Sequence, residues 1–204
     1  MRIKRQWGWA LGVLLACVVF SAQAVQEIDN PFGVRIALPE HWLKLTQEQL
    51  STVDPVEGEN SIDLPLETRQ LLSAQLRAGG VMLIFNTQPS EQDFYDNITV
   101  IEIEDQVPEA AAQIRQTCQA LPRVLSQRLG QTIRLDQCAG REISGFPAFI
   151  LAYPGKTPAT QIVQYMIQIG QNRSLVFTLA YHQQRPESLA AFEQLITDLE
   201  LRAP

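Results

Sequence analysis

The run QIVQYMIQIG, Gln161 to Gly170, is followed after three residues by SLVFTLAYH, Ser174 to His182. In the first run Val163, Tyr165, Ile167 and Ile169 alternate with Gln164, Met166 and Gln168; in the second Leu175, Phe177, Leu179 and Tyr181 hold every other position. A period of two places each apolar set on one face of a strand. The residues Gly170 to Arg173 between the runs predict a tight hairpin turn, so the two strands are antiparallel neighbours.

Working outward, TIRLDQC and FPAFILAYP precede this hairpin and predict two more strands, giving four in succession after Gly130. Behind it, PESLAAFEQLITDLELR places Leu189, Phe192, Ile196 and Leu199 on one helical stripe. Upstream, from Pro108, Ala111, Ile114, Cys118, Leu121 and Leu125 recur at intervals of three and four and predict a second helix, which Pro122 is expected to kink or break. VMLIF is continuously apolar, the pattern of a strand covered on both faces, and NITVIEIE predicts its neighbour. FGVRIALP, with Val34, Ile36 and Leu38 alternating, reads as a strand ended by Pro39. Thr46 and Gln49 form a capping-box pattern for a short helix, and PLETRQLLSAQLRAGG predicts a longer one stopped by Gly79 and Gly80. The sum is an α+β domain: a largely antiparallel β-sheet flanked by α-helices.

FGVRIALPEHW, the segment Ser144-Gly145-Phe146-Pro147-Ala148 before a long strand, the hairpin through Gly170 and the helix from Pro186 together resemble the PsbP-like α/β/α sandwiches, the group that also holds the DcrB-like envelope proteins. The likeness covers most of residues 31 to 201, and its motifs are structural. This chain differs from the group in its cysteine pair and in the proline within its long helix. The resemblance implies an accessory, chaperone-like or protein-binding module with no shared catalytic residue, so no functional residue carries over from it.

The amino terminus supplies an address. Arg2, Lys4 and Arg5 precede an apolar run from Trp9 to Phe20, a basic-then-apolar layout typical of a secretory signal. The run is too short to span about 30 Å of hydrocarbon as a helix. Ala22-Gln23-Ala24 offers small residues where signal peptidase reads them, and polar Gln26, Glu27 and Asp29 follow; cleavage after Ala24 is the expected outcome. Leu14-Leu15-Ala16-Cys17 also resembles a lipobox, so lipidation of Cys17 is the alternative, although it would leave Val18, Val19 and Phe20 next to the lipid.

Residues 1–24 are thus read as a signal peptide and 25–204 as a single domain, long enough for a sizeable core. After removal of the signal, thirteen basic residues face twenty-two acidic ones, a formal charge of −9. That balance argues against nucleic acid, and against anionic lipid held by bulk electrostatics. The expected localisation is periplasmic.

Only Cys118 and Cys138 remain after cleavage, and an even pair in an exported chain predicts a disulfide. Antiparallel elements leaving one turn near Gly130 bring the two cysteines to similar heights. Inert thiols, or a redox or metal role, are the alternatives; no Cys-x-x-Cys or further ligand cluster supports the latter. Cys138 has the parity of Thr132, Arg134 and Asp136, not of apolar Ile133 and Leu135, so a bulge near Gly140 is expected to re-aim it.

No Gly-x-Ser-x-Gly, His-Glu-x-x-His, phosphate loop or calcium loop occurs. His41 reads as a turn residue and His182 as the end of a strand. Asp54, Glu57 and Glu59 form one acidic cluster and Asp93 with Asp96 another; both are expected to be solvated, since a calcium site needs more oxygen ligands in a tighter arrangement. Phe94 and Tyr95 are expected to anchor their loop on the core. No metal or cofactor is implied. The expected function is an exported, non-enzymatic envelope accessory or protein-binding factor whose partner is another envelope protein. The alternatives are a periplasmic hydrolase with an acidic cleft, identified by two facing carboxylates, and a carrier of a small apolar ligand, identified by a large apolar cavity.

Overall fold

The computed structural model describes residues 26–28, 32–46, 73, 74, 76, 77, 80–88 and 94–201. The signal segment, Cys17, the cleavage site at Ala24, the acidic cluster Asp54, Glu57 and Glu59, and Asp93 lie outside the described residues. So does Gln49, half of the predicted capping box; of the predicted helix over 65–80, residues 73, 74, 76 and 77 are described, and they are helical.

The strands are β1 (Gln26–Ile28), β2 (Val34–Leu38), β3 (Trp42–Lys44), β4 (Val81–Asn86), β5 (Asn97–Ile103), β6 (Gln137–Ile143), β7 (Phe146–Pro154), β8 (Thr160–Gly170), β9 (Arg173–His182) and β10 (Glu200–Leu201). Besides the helical residues 73, 74, 76 and 77, the described residues form the helices α1 (Ala111–Leu129) and α2 (Pro186–Thr197). Seven strands form one antiparallel sheet in the order β3-β4-β5-β9-β8-β7-β6, and β1-β2-β10 form a small second one.

The pleat sorts the core. Met82, Ile84, Val100, Phe177, Tyr165 and Ile150 share one face, where Phe192, Leu195 and Ile196 of α2 and Val34, Ile36 and Leu38 of β2 cover them. Phe177 and Phe192 are wholly buried, each contributing about 1.5–3 kcal/mol of transfer free energy. Phe192 also packs on Tyr165 with ring centroids 5.7 Å apart, a tilted arrangement suited to aromatic quadrupoles. The other face has two smaller clusters. Phe149, Leu151 and Tyr153 meet Ile114, Cys118, Leu121 and Leu125 of α1, while Leu83 and Phe85 meet Leu45, Leu76 and Tyr95. β4 is therefore covered on both sides, as its unbroken apolar run predicts.

The four-strand meander forms with one shift. Residues 131–136 are irregular, and β6 starts only at Gln137, so it takes in the last two residues of TIRLDQC and runs on to Ile143. Ser144 (φ 51°) and Gly145 (φ 81°) are both left-handed, the requirement of a type I′ turn. That turn fixes Ile143 opposite Phe146, and the ladder runs back to Gln137 opposite Ala152. The register is unbroken, so the bulge expected near Gly140 is absent. Cys138 needs none, because parity counted from Ile133 does not pass through an irregular segment. Opposite Leu151, Cys138 faces α1 directly.

α1 runs unbroken from Ala111 to Leu129 with Pro122 inside it, so of the kink or break expected there the break does not occur. Proline removes the hydrogen bond to the carbonyl four residues back, that of Cys118. The following turn is secured by the Ser126 hydroxyl, which donates to the Pro122 carbonyl (2.6 Å) and accepts from the Ile133 amide (2.8 Å).

Candidate functional site

The most heavily buried polar cluster forms where β4, the start of β5, the end of β9 and the start of α2 converge. Asp96 is wholly buried, as is Ser188, and Asn86 and His182 are nearly so. Asp96 Oδ1 accepts from the His182 backbone amide at 2.9 Å. Asp96 Oδ2 accepts from the Ser188 hydroxyl and lies 3.3 Å from Arg185 Nε. Asn86 Nδ2 donates to Ser188 Oγ at 3.3 Å. Pro186, in the first turn of α2, sets the backbone so that Arg185 and Ser188 flank the carboxylate. Arg185 Nη1 is buried with no hydrogen-bond partner among the described residues.

Asp96, His182 and Ser188 are the residue types of a nucleophile relay, but their bonding is different. In a relay the imidazole stands between serine and carboxylate. Here Ser188 donates straight to Asp96, His182 contributes its main-chain N–H, and the His182 Nδ1 accepts from the Gln184 amide at 3.4 Å. The cluster orders the β4, β5 and α2 junction. Asp96, expected to be solvated with Asp93, is instead the buried acceptor at its centre.

His41 lies in a turn at φ 71°, and its carbonyl accepts from both the amide and the hydroxyl of Thr87, the structural role expected. Tyr95 packs on Leu83 and Phe85, anchoring its loop as expected. Other polar ties were not foreseen, because the residues alternate with core positions and look merely solvated. Gln168 accepts from the Val107 amide at 2.7 Å and donates to the Gly170 carbonyl, pinning the register shift between Gln168 and Gly170. Gln161 donates to Asp136 and accepts from Gln183 at 3.0 Å.

Cys118 and Cys138 are joined as a disulfide with a Cα–Cα distance of 5.8 Å, inside the range that bridging requires. It links α1, which has no fully buried residue, to the edge strand β6. A pocket of about 410 Å³ beside it is lined by Pro122, Ile133, Arg134, Leu135, Asp136 and Gln137. A second, of about 450 Å³, lies where Ile114 crosses Gly140, with Glu109, Arg141 and Glu142 on its walls. A Cβ at Gly140 would stand 2.6 Å from Ile114 Cδ1, so glycine permits this close crossing. Charged side chains line both pockets, unlike the enclosed apolar cavity of a carrier. Among the described residues no group of three His, Cys, Asp or Glu side chains is placed to hold a metal ion.

Desolvation raises the Tyr153, Tyr165 and Tyr181 hydroxyls above the usual tyrosine value. A bidentate hydrogen bond from Arg173 lowers the Glu102 carboxyl.

Comparison with solved structures identifies the architecture. The solution structure of cyanobacterial PsbP (CyanoP) from Synechocystis sp. PCC 6803 superposes with a TM-score of 0.53 at 13% identity, covering 94% of this chain and 100% of that one. The fold is PsbP-like. Weaker likenesses include the Ran-binding protein Mog1p of Saccharomyces cerevisiae (TM-score 0.49, 10% identity, 88% of this chain and 96% of that one). LpqN of Mycobacterium tuberculosis gives a TM-score of 0.46 at 13% identity over 86% of this chain and 90% of its own. No family model and no curated protein matches the sequence. A PsbP-like fold at this identity fixes the framework and assigns no chemistry.

Proposed function

We propose that this protein is an exported, non-enzymatic accessory or protein-binding factor of the cell envelope. The observation that carries the reading is the Cys118–Cys138 disulfide. It fits an oxidising compartment, and it fastens a lightly anchored helix to the sheet edge, as suits a rigid recognition surface. Three further points agree. The amino-terminal residues have the layout of a secretory signal. No helix among the described residues is long and apolar enough to cross a membrane. The acidic candidate in view, Asp96, spends its acceptor capacity on framework donors.

Affinity capture from envelope extracts, with the disulfide intact, is the direct test. A stoichiometric protein partner is expected; repeated recovery of a lone monomer overturns the reading. Intact mass spectrometry of the exported protein addresses its maturation. The expected species begins at Val25, carries no lipid and is two hydrogens lighter than its reduced form. A diacylglycerol-sized addition on Cys17 would replace the freely diffusing factor by a tethered one.

A further inference from the structure

β6 ends the seven-strand sheet, so one of its long sides has no strand beside it. The tight turn at Ser144 and Gly145 decides which main-chain groups face that side. In such a turn the flanking residues, here Ile143 and Phe146, bond to each other, and bonding then alternates along the ladder. Arg141, Ala139 and Gln137 therefore turn their N–H and C=O groups towards β7, while Glu142, Gly140 and Cys138 turn theirs outward. Pro147 opposite Glu142 agrees, because that position owes β6 no N–H. Gly140, Arg141 and Glu142 are exposed, and among the described residues no hydrogen bond occupies the outward groups. Sheet edges are ordinarily kept short, bulged or interrupted by proline. The opposite edge, β3, has three residues. β6 has seven in unbroken register, none of them proline.

The two faces of this edge differ in charge. Glu142 shares the α1 side with Gly140 and Cys138, and with Glu109 it lines the recess of about 450 Å³ where Ile114 crosses Gly140. Arg141 shares the other side with Ala139 and Ile143. Glu109, Arg141 and Glu142 have no ion-pair partner among the described residues. We propose that β6 takes up an extended protein segment as an eighth, antiparallel strand, with a basic residue opposite Glu142, an acidic one opposite Arg141 and an aromatic one opposite Gly140. Main-chain bonds supply the affinity of such an addition, and alternate side chains supply its selectivity. Gly140 has no side chain of its own, so a ring opposite it can lie against Ile114. This rests on the accessory-factor reading and names the surface and the partner's chemistry. The Cys118–Cys138 bond holds α1 and the edge together before binding, which limits the ordering cost of association. A second copy of β6 is a poorer occupant. A two-fold axis at Gly140 sets Arg141 against Ala139 and Glu142 against Cys138, and an axis at Arg141 or Glu142 brings like charges face to face.

The test uses the disulfide-bonded mature protein and the capped peptide Thr-Lys-Glu-Phe-Thr-Val, which in antiparallel register sets its Lys, Glu and Phe opposite Glu142, Arg141 and Gly140. NMR titration should show saturable binding. Amide exchange should slow at Cys138, Gly140 and Glu142, while Gln137, Ala139 and Arg141, already bonded to β7, change little. N-methylation of the peptide's Phe, whose N–H faces β6 in this register, should cut affinity about tenfold or more, equivalent to about 1.4 kcal/mol or more. N-methylation of its Glu, whose N–H faces away, should leave affinity nearly unchanged. This pair of peptides tests the proposal on the unaltered protein. Glu142→Pro removes one outward N–H and keeps the ladder to β7, so it should weaken binding as the first methylation does. Glu142→Gln should weaken it several-fold and reduce its salt dependence. Circular dichroism and thermal melts check that each variant is folded. No saturable binding, equal loss with both methylated peptides, or protection that does not alternate along β6 overturns the proposal. So does a concentration-dependent dimer that folded Glu142→Pro abolishes, which would give the edge to a second copy of the chain. Envelope capture of the same partner by wild type and folded Glu142→Pro in equal yield overturns the proposal while leaving the accessory-factor reading intact. Peptide binding with alternating protection, while capture returns only monomer, supports the strand site and counts against that reading.

Discussion

Asp96 illustrates how a side chain's role is set by residues far along the chain. Its neighbours in sequence, Asp93 and the aromatic pair Phe94-Tyr95, suggest a solvated acidic loop. Its partner Ser188 stands 92 positions away, and no local pattern announces that pairing. With Asp96 wholly buried and Arg185 one-tenth exposed at the side chain, removing one charge strands the other in a poorly hydrated site. Asp96→Asn is therefore expected to cost about 3 kcal/mol, near the low end for breaking a buried ion pair because Glu187 also lies 3.5 Å from Arg185. Ser188→Ala should cost about 1–2 kcal/mol by leaving Asp96 short of a donor. Urea denaturation reads both. A change under about 0.5 kcal/mol for Asp96→Asn, the size of an ordinary surface effect, would show that the cluster does not hold the junction together.

Helix α1 depends on tertiary help more than its apolar stripe suggests. Ile114, Leu121 and Leu125 are only half-buried, and Pro122 costs the Cys118 carbonyl its helical bond. The covalent link to β6 closes a loop with a sequence separation of 20, worth up to about 3 kcal/mol in the chain-entropy account. Mild reduction should lower the melting temperature and accelerate amide exchange across residues 111–129, while β5, β8 and β9 keep their protection. Uniform acceleration through the central strands would instead make the disulfide a global determinant of stability. Most of this architecture was legible in the sequence. The alternation in β8 and β9 and the stripe of α2 are strong periodic signals, and the cysteine pair follows from spacing. β6 was misplaced because Ile133 and Leu135 mimic strand alternation while packing under α1 from an irregular segment. The true strand, QCAGREI, has little apolar periodicity because it lies at a sheet edge.

The described residues form a sheet packed on both faces, and three of the four tyrosines are buried where the layers meet. Tyr153 lies under α1, Tyr165 against Phe192 of α2, and Tyr181 near the end of β9; each is no more than 8% exposed. Desolvation raises all three hydroxyls above their ordinary value, because the interior disfavours phenolate. The unfolded chain ionises its tyrosines near pH 10, whereas the folded chain retains those protons to higher pH. Above that point the unfolded state binds fewer protons, so stability falls as pH rises. The stabilisation is fully present below about pH 10 and is lost as pH climbs through the raised folded-state values. Each tyrosine can steepen the decline by up to about 1.4 kcal/mol per pH unit within its window. Urea midpoints at closely spaced pH values above 9, read beside tyrosinate absorbance, should show the stability loss begin before the folded protein's phenolate signal develops. Tyr165→Phe removes one such group without emptying its site against Phe192, so it should flatten the decline. An unchanged slope in that variant would place the alkaline sensitivity elsewhere, and phenolate absorbance from Tyr153, Tyr165 and Tyr181 rising near pH 10 in the folded protein, read in a Tyr95→Phe background, would refute the burial argument itself.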